Sequence, residues 1–363
     1  MSLPLITLTG TPLEQGRQHG AQLKDCIAAN IAVYFDRFLR ETLLERDAVH
    51  EIAAQYATHI ERQSPAYFVN MQGVAEGGGF EFLDIVALNV RYEILYYQFG
   101  KMAMEREAQA DGCTLFALLP EATSEGHLII GQNWDWIPEV QGAVLHTHEP
   151  DGLQTLAFTE SGIVGAKLGF NSEGIGLAIN GITTTDDDWT RFNKPAHVRF
   201  YEILRQRDFN DAVSVITSEP RACSTNFLIA QPPGFVLDVE AAPDTQGYLS
   251  PVDGVLTHAN HFVNPEVLGL TEPPNPRRIY SRRREARLAE LLLAAKPTTL
   301  EKIQTALRDT LDDPFGLCRH RNLAEPPEQH YVTVTSAIMD LDTKTLHLTD
   351  GPPDQSDYQT FSL

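Results

Sequence analysis

The spacing of apolar residues changes character once along the chain. Up to about residue 110 it is mostly helical. After a short opening strand, Thr11-Pro12 with Glu14 marks a helix start, with the acid in the first turn. Further helical patterns cover about 48–62, 65–76 and 83–106, the last carried by Ile85, Leu88, Val90, Ile94, Leu95 and Phe99. Gly77-Gly78-Gly79 separates the last two; no strand precedes it and the GxGxxG spacing fails, so it is not a dinucleotide loop.

From Cys113 onward the pattern is that of short strands. β-rich runs fall at 113–119, 127–133, 143–149, 154–159 and 175–180, between Gly, Pro and acidic turns. Helical stretches at 196–206 and 210–218 follow, then strands at 226–231, 234–240 and 254–258. A helix over 277–295 and closing strands at 330–339 and 344–349 complete the chain. Strands on both sides of a helical block predict an α+β fold of layered sheets covered by helices. There is no internal repeat or low-complexity linker, so the helical first third reads as part of a single domain spanning 1–363.

Composition narrows the partners. A 363-residue chain with 42% hydrophobic and 21% charged residues can bury a large core. Its net charge of −21 repels nucleic acid and anionic lipid. No segment reaches the ~18–20 apolar residues of a membrane span. The four cysteines, Cys26, Cys113, Cys223 and Cys318, form no CxxC pair, and the N-terminus lacks a basic region before an apolar run. Both point to reduced thiols in a cytoplasmic setting.

Candidate chemistry concentrates in four stretches. In Asp111-Gly112-Cys113-Thr114, Gly112 permits strained backbone angles and close approach to its own carbonyl. Attack there by the Cys113 thiol gives a thioester that water hydrolyses. The freed α-amine, with a reference pKa of about 7.7–8.0, can then serve as base for its own thiol. A buried cysteine acting as a small hydrophobe is the ordinary alternative. In Gly131-Gln132-Asn133-Trp134-Asp135-Trp136, Asp135 would orient the amine, the thiol or a substrate group. Trp134 and Trp136, with Asn133, would line a partly apolar substrate pocket; plain aromatic packing at a strand edge fits the same residues. In His258-Ala259-Asn260-His261, Asn260 would donate to an oxyanion. Arg319, after Pro314-Phe315-Gly316-Leu317-Cys318, would anchor a substrate carboxylate or Asp135, or form a buried ion pair.

These stretches, in order, resemble the isopenicillin-N acyltransferases, also called acyl-CoA:aminopenicillanic acid acyltransferases, of the N-terminal-nucleophile hydrolase superfamily. The resemblance also runs through Gly10-Thr11-Pro12-x-Glu14-x-Gly16-x-x-His19-Gly20 and Leu88-Asn89-x-Arg91-x-Glu93. It continues in Thr159-Glu160-x-Gly162-Ile163 and Gly169-Phe170-Asn171-Ser172-x-Gly174. It implies an αββα sandwich of two antiparallel sheets between helical layers. It also implies cleavage between Gly112 and Cys113 into an α-chain, 1–112, and a β-chain, 113–363. Carried over by motif, Cys113 is similar to the nucleophile, Asp135 to the active-site Asp, Asn260 to the oxyanion-side Asn and Arg319 to the active-site Arg. Thr183 to Trp189 has no close counterpart.

The expected activity is hydrolysis of a linear amide through a Cys113 thioester. The alternative is acyl transfer to an amine from an amide or acyl-CoA donor, CoA thioesters being substrates rather than cofactors. An uncleaved, non-catalytic binding protein is a third reading. No metal or cofactor is expected; a metal hydrolase built on His258, His261 and His146 is a rival, weakened by the loose HxxH spacing. The expected assembly is the self-derived α/β heterodimer, possibly a larger oligomer. Asp186 to Asp188 reads as a solvated turn rather than a lip for a cationic amine. Arg277, Arg278, Arg282, Arg283, Arg284 and Arg287 read as a helix face paired with acids rather than a phosphate site.

Overall fold

The computed structural model describes residues 3–95 and 112–363. Strand Thr114–Leu118 (β2) shows why the chain forms stacked sheets. Every one of its residues is buried, so it needs cover on both faces. Leu115 and Ala117 turn into the core between two sheets, whereas Phe116 and Leu118 join a second cluster beneath helices.

Among the described residues, fourteen strands make two sheets. The smaller runs β11 (Val255–His258), β2, β3 (Ile129–Trp136), β12 (Val332–Asp340), β13 (Thr345–Leu348), β14 (Gln359–Ser362). The larger begins with β1 (Leu5–Thr9), β4 (Gly142–His148), β5 (Gln154–Glu160) and β6 (Leu168–Asn171). It continues with β7 (Gly176–Gly181), β8 (Thr225–Gln231), β9 (Phe235–Ala241) and β10 (Gln246–Leu249). The expected all-antiparallel sheets need one correction, because β1 pairs with β4 in parallel. A long helical excursion separates the two strands in sequence, which leaves β1 free to enter in that direction.

Helices cover both outer faces. Helices α1 (Pro12–Gln22), α2 (Lys24–Arg37), α3 (Arg46–Gln63), α4 (Pro65–Gly78) and α5 (Phe82–Asn89) lie with α6 (Ala196–Ile203) and α7 (Phe209–Thr217) on the larger sheet. Helices α8 (Arg278–Ala294) and α9 (Leu300–Leu307) pack Leu288, Leu292, Ile303 and Leu307 onto the smaller one. The result is the αββα sandwich. The expected 83–106 helix breaks at Val90 and resumes over 91–95; its remainder, with Phe99 and the predicted Asp111, lies outside the described residues. Strands β6, β10 and β14 lie outside the expected runs: Gly169 interrupts β6, and β10 and β14 are half-exposed edge strands with little apolar alternation.

Helix α1 starts with the full capping box of Thr11 and Glu14. Its crossing with α4 depends on absent side chains. A Cβ on Gly16 would sit 2.1 Å from the Asn70 carbonyl oxygen, and one on Gly73 would sit 2.4 Å from that of Leu13. Gly73→Ala should therefore destabilise the protein by ~1–3 kcal/mol through overpacking. Chemical denaturation measures this, and an unchanged midpoint would mean that the crossing relaxes freely.

Candidate active site

The pairing of β2 with β3 sets the site. Thr114 lies opposite Asn133 and Leu115 opposite Gln132. Continuing that register puts Cys113 across from Trp134 and Gly112 across from Asp135. Residues opposite one another share a face of the sheet. Cys113 and Trp134 thus face the inter-sheet core, and Gly112 and Asp135 face the other way.

On that outer side Gly112 is tightly held. Its N–H donates to Asn260 Oδ1 at 3.0 Å. A Cβ added to Gly112 would lie 2.4 Å from Asp135 Cβ and 2.9 Å from Arg319 Nη1, so only glycine fits. Asn260, just beyond β11, is fixed from three directions. Its Nδ2 donates to the Gly181 carbonyl, its backbone N–H donates to Ser281 Oγ, and Arg284 Nη2 donates to Oδ1 at 2.9 Å. Arg284 also donates to Thr114 Oγ1. Asp135 Oδ1 accepts from Thr333 Oγ1 at 2.7 Å, while its buried Oδ2 has no hydrogen-bond partner among the described residues. The Arg319 guanidinium lies over the Phe315 and Tyr331 rings. Asp135, Asn260 and Arg319, drawn from three remote segments, therefore converge on Gly112.

On the inner side Cys113 is 7% exposed, and its thiol points to the Asp135 carbonyl oxygen at 3.7 Å. A buried charge network borders the same space. Glu160 accepts from Lys167 Nζ at 3.0 Å and from Arg91 Nε at 3.1 Å, and the Tyr34 hydroxyl donates to it as well. Lys167 Nζ stands 4.3 Å from the centre of a Trp134 ring.

Several expectations change here. Asn133 leaves the substrate site: its Nδ2 donates to the Leu307 and Leu317 carbonyls under α9. Trp134 and Trp136 belong to the inter-sheet core rather than to an open pocket. Trp134 packs on Phe158, and Trp136 Nε1 donates to the Tyr34 hydroxyl. One Asn260 amide N–H goes to the Gly181 carbonyl, and the group it turns to Gly112 in the uncut chain is its oxygen, an acceptor. His258 pairs with Glu240 and His261 with Glu285 and Ser281, and neither belongs to a group of three close ligand atoms among the described residues; nor does His146. The expected solvated turn holds for Asp186, which is exposed, but Asp187 is buried and accepts from Thr184 and Ser224. Arg277, Arg278, Arg283 and Arg287 pair with Glu325, Glu272, Asp312 and Asp309, but Arg284 turns inward to the site.

No motif marks Lys167 or Arg284 as a site residue, and Arg91 and Glu160 stand in the sequence only within motifs. A signal existed for Arg91, a lone guanidinium between apolar Leu88, Val90, Ile94 and Leu95. None existed for Lys167, whose partner is seven residues away on the preceding strand.

Residues 122–355, well over half of the chain, match the family model described as acyl-coenzyme A:6-aminopenicillanic acid acyl-transferase. The chain belongs to this acyltransferase family. The matched stretch contains Asp135, Asn260 and Arg319 and begins after Cys113. The Emericella nidulans acyl-coenzyme A:6-aminopenicillanic-acid-acyltransferase 40 kDa form is 26% identical over 321 residues, 86% of this chain and 84% of that one. An uncharacterized Archaeoglobus fulgidus protein is 22% identical over 306 residues, 72% of this chain and 51% of that one. A solved Caenorhabditis elegans N-acylethanolamine-hydrolyzing acid amidase ortholog is 14% identical with a TM-score of 0.48, covering 69% of this chain and all of that one.

Burial dominates the electrostatics of this acyltransferase-family site. It pushes the Cys113 thiol up to about 11, with the Asp135 carboxylate adding to the rise and Lys167 and Arg284 opposing it. It pushes Asp135 up to about 7, against the pull of Arg319 and Arg284. It brings Lys167 down to about 8, although Glu160 resists. Burial also disfavours the Glu160 carboxylate, but there Arg91 and Lys167 win and keep it ionised.

A carboxyl raised in the folded state binds its proton more tightly there than in the unfolded chain. Asp135 therefore contributes stability below its ordinary 3.8 and loses it as pH rises through about 7. In an uncut Cys113→Ala background, Asp135→Asn should gain on its parent between about pH 4 and pH 8, by on the order of 2–4 kcal/mol. Denaturant unfolding across that range measures the difference; a pH-independent one would refute the assigned protonation.

Proposed function

We propose that the protein is an autoproteolytically activated cysteine enzyme whose nucleophile is the N-terminal Cys113 of a matured β-chain, and that it hydrolyses a linear amide of a small molecule. The observation that carries this reading is the Gly112 clamp. A glycine without room for a side chain has its N–H held by Asn260 and its Cα wedged against Asp135, immediately before a buried thiol.

In maturation, the Cys113 sulfur adds to the Gly112 carbonyl carbon. The Gly112–Cys113 C–N bond breaks, a thioester forms, and the thiol proton ends on the new α-amine. Water then cleaves the thioester, leaving the Gly112 carboxylate and a free thiol. Asp135, raised toward neutrality, is the group suited to carry the proton, and the Lys167 ammonium favours thiolate on the inner side. In turnover the α-amine takes the thiol proton, the thiolate attacks the substrate carbonyl, and the amine product leaves with that proton. Water releases the acid. Departure of the new Gly112 carboxylate terminus then frees Asn260 Oδ1 from the Gly112 N–H and leaves Asn260 and Arg319 to position substrate. The two chains remain as a heterodimer.

Acyl transfer from CoA or an amide donor to an amine is the second reading, favoured by the description of the Emericella nidulans relative. The helix-α8 arginines give CoA phosphates little support, since Arg277, Arg278, Arg283 and Arg287 already have acidic partners.

Intact mass under denaturing conditions should show two species, one ending at Gly112 and one beginning at Cys113. Cys113→Ala should give one full-length species without activity. Cleavage of that variant would remove Cys113 from its role, and an uncut wild type after long incubation would favour the binding-protein reading. Gly112→Ala should slow cutting about 100-fold, because its Cβ displaces the scissile carbonyl from the thiol; a time course by mass reads this. With an N-acyl amide as donor, free acid unaffected by added amine marks hydrolysis. A new amide formed at its expense marks transfer.

A further inference from the structure

A second cluster of reactive side chains lies beside Arg319 and is unused by this chemistry. The Cys318 thiol donates to Asp354 Oδ1 at 3.0 Å. His320 Nε2 lies 3.0 Å from the same oxygen and 3.9 Å from Cys318 Sγ. The donor atoms of the three residues all fall within 4.8 Å of one another. Tetrahedral zinc with one sulfur, one imidazole nitrogen and one carboxylate oxygen separates its ligands by about 3.3–3.6 Å, given metal–ligand distances near 2.0–2.3 Å. The three observed separations bracket that range.

We propose that Cys318, His320 and Asp354 form a site for a borderline-soft divalent cation, Zn²⁺, with Asp313 as the outer carboxylate that orients His320. Three observations point the same way. First, the other ring nitrogen of His320, Nδ1, donates to Asp313 Oδ1 at 2.5 Å. That is the carboxylate–histidine arrangement which presents the opposite nitrogen to a metal. Second, the donor set mixes thiol, imidazole and carboxylate, the set that suits zinc rather than magnesium or calcium. Third, His320 lines a cleft of about 830 Å³ with Phe158, Val332, Val334 and Gln355, which gives an ion and a fourth ligand a route in. The other close group among the described residues, His50, Glu81 and Asp84, lacks this character: Arg46 already supplies Asp84 with a cation.

Without metal, the thiol keeps its proton and donates it to Asp354. With Zn²⁺, the thiol proton and the His320 Nε2 proton are both released to solvent, sulfur binds as thiolate, and the imidazole binds through Nε2 while its Nδ1 proton stays hydrogen-bonded to Asp313. The consequence is mechanical. Asp354 lies in the connection between β13 and β14, and Arg319 lies between the two ligands of the 318–320 segment. A bound ion would staple that connection to the segment that sets Arg319 against Asp135, so occupancy bears on how rigidly the Gly112 site is held. This site goes beyond the proposed amide chemistry and stands whether or not the chain cuts itself.

The test is Co²⁺ titration of the chelator-treated full-length protein, followed by competition with Zn²⁺. One equivalent of Co²⁺ should produce a thiolate-to-cobalt charge-transfer band and tetrahedral visible bands, and Zn²⁺ should bleach both. Cys318→Ser should abolish the charge-transfer band, while Cys113→Ser and Cys26→Ser should retain it. Asp313→Asn should keep the band but weaken binding ~10–100-fold, as loss of an outer carboxylate does. Should Cys318→Ser fail to fold, His320→Gln and Asp354→Asn serve in its place, each expected to weaken binding at least as much as Asp313→Asn. The proposal is overturned by the absence of a charge-transfer band, by a band that survives Cys318→Ser, or by one lost in Cys113→Ser.

Discussion

Everything at the candidate site depends on the register between β2 and β3. Pairing Thr114 with Asn133 puts Gly112 opposite Asp135 and turns Cys113 to the other face. A slip of one residue would exchange the faces, placing Cys113 among Asp135 and Arg319 and Gly112 in the apolar core. The register is secured because both faces of β2 are buried against different partners. Leu115 and Ala117 must meet the larger sheet, and Phe116 and Leu118 must meet helices α8 and α9.

The register also sorts the buried charges into two sets on either side of one strand. Outside lie Asp135, Arg319, Arg284 and Asn260; inside lie Glu160, Lys167 and Arg91 near the thiol. Burial of charge without a partner is costly, so each set carries its own counter-charges. The inner set holds one carboxylate against two cations and leaves a positive bias near Cys113. The outer set surrounds a carboxylate that burial drives toward its neutral form. The nucleophile and the proton carrier thus lie on opposite faces of the β2–β3 pair, and each face holds one carboxylate with two cations.

Much of the architecture could be read from residue spacing. The change from helical to alternating periodicity at Cys113 coincides with the start of β2, and the break at Gly79 is a left-handed helix terminus. Short strands escape the pattern where a glycine interrupts the alternation, as in β6, or where a half-exposed sheet edge carries little apolar alternation, as in β10 and β14. Of the candidate site, Gly112, Cys113, Asp135, Asn260 and Arg319 do assemble in space. Asn133 does not: it lies two residues from Asp135 on the same face of β3, one step further under α9, where the Leu307 and Leu317 carbonyls take up its amide.

By itself, the sequence determined most of the elements, their grouping as layered sheets covered by helices, and the presence of a glycine–cysteine junction followed by an acid at a strand end; the αββα order of the layers was implied by the family resemblance. These are local properties: periodicity, turn chemistry and the identity of neighbouring residues act over a few positions. Only the tertiary structure decided that Arg284 leaves its ion-paired helix face to hold Asn260, that Lys167 borders the thiol, and that Cys318 meets Asp354. Those contacts join segments far apart in the chain. They are selected by the need to satisfy buried charge and hydrogen-bonding groups, a requirement that exists only once the layers close around them.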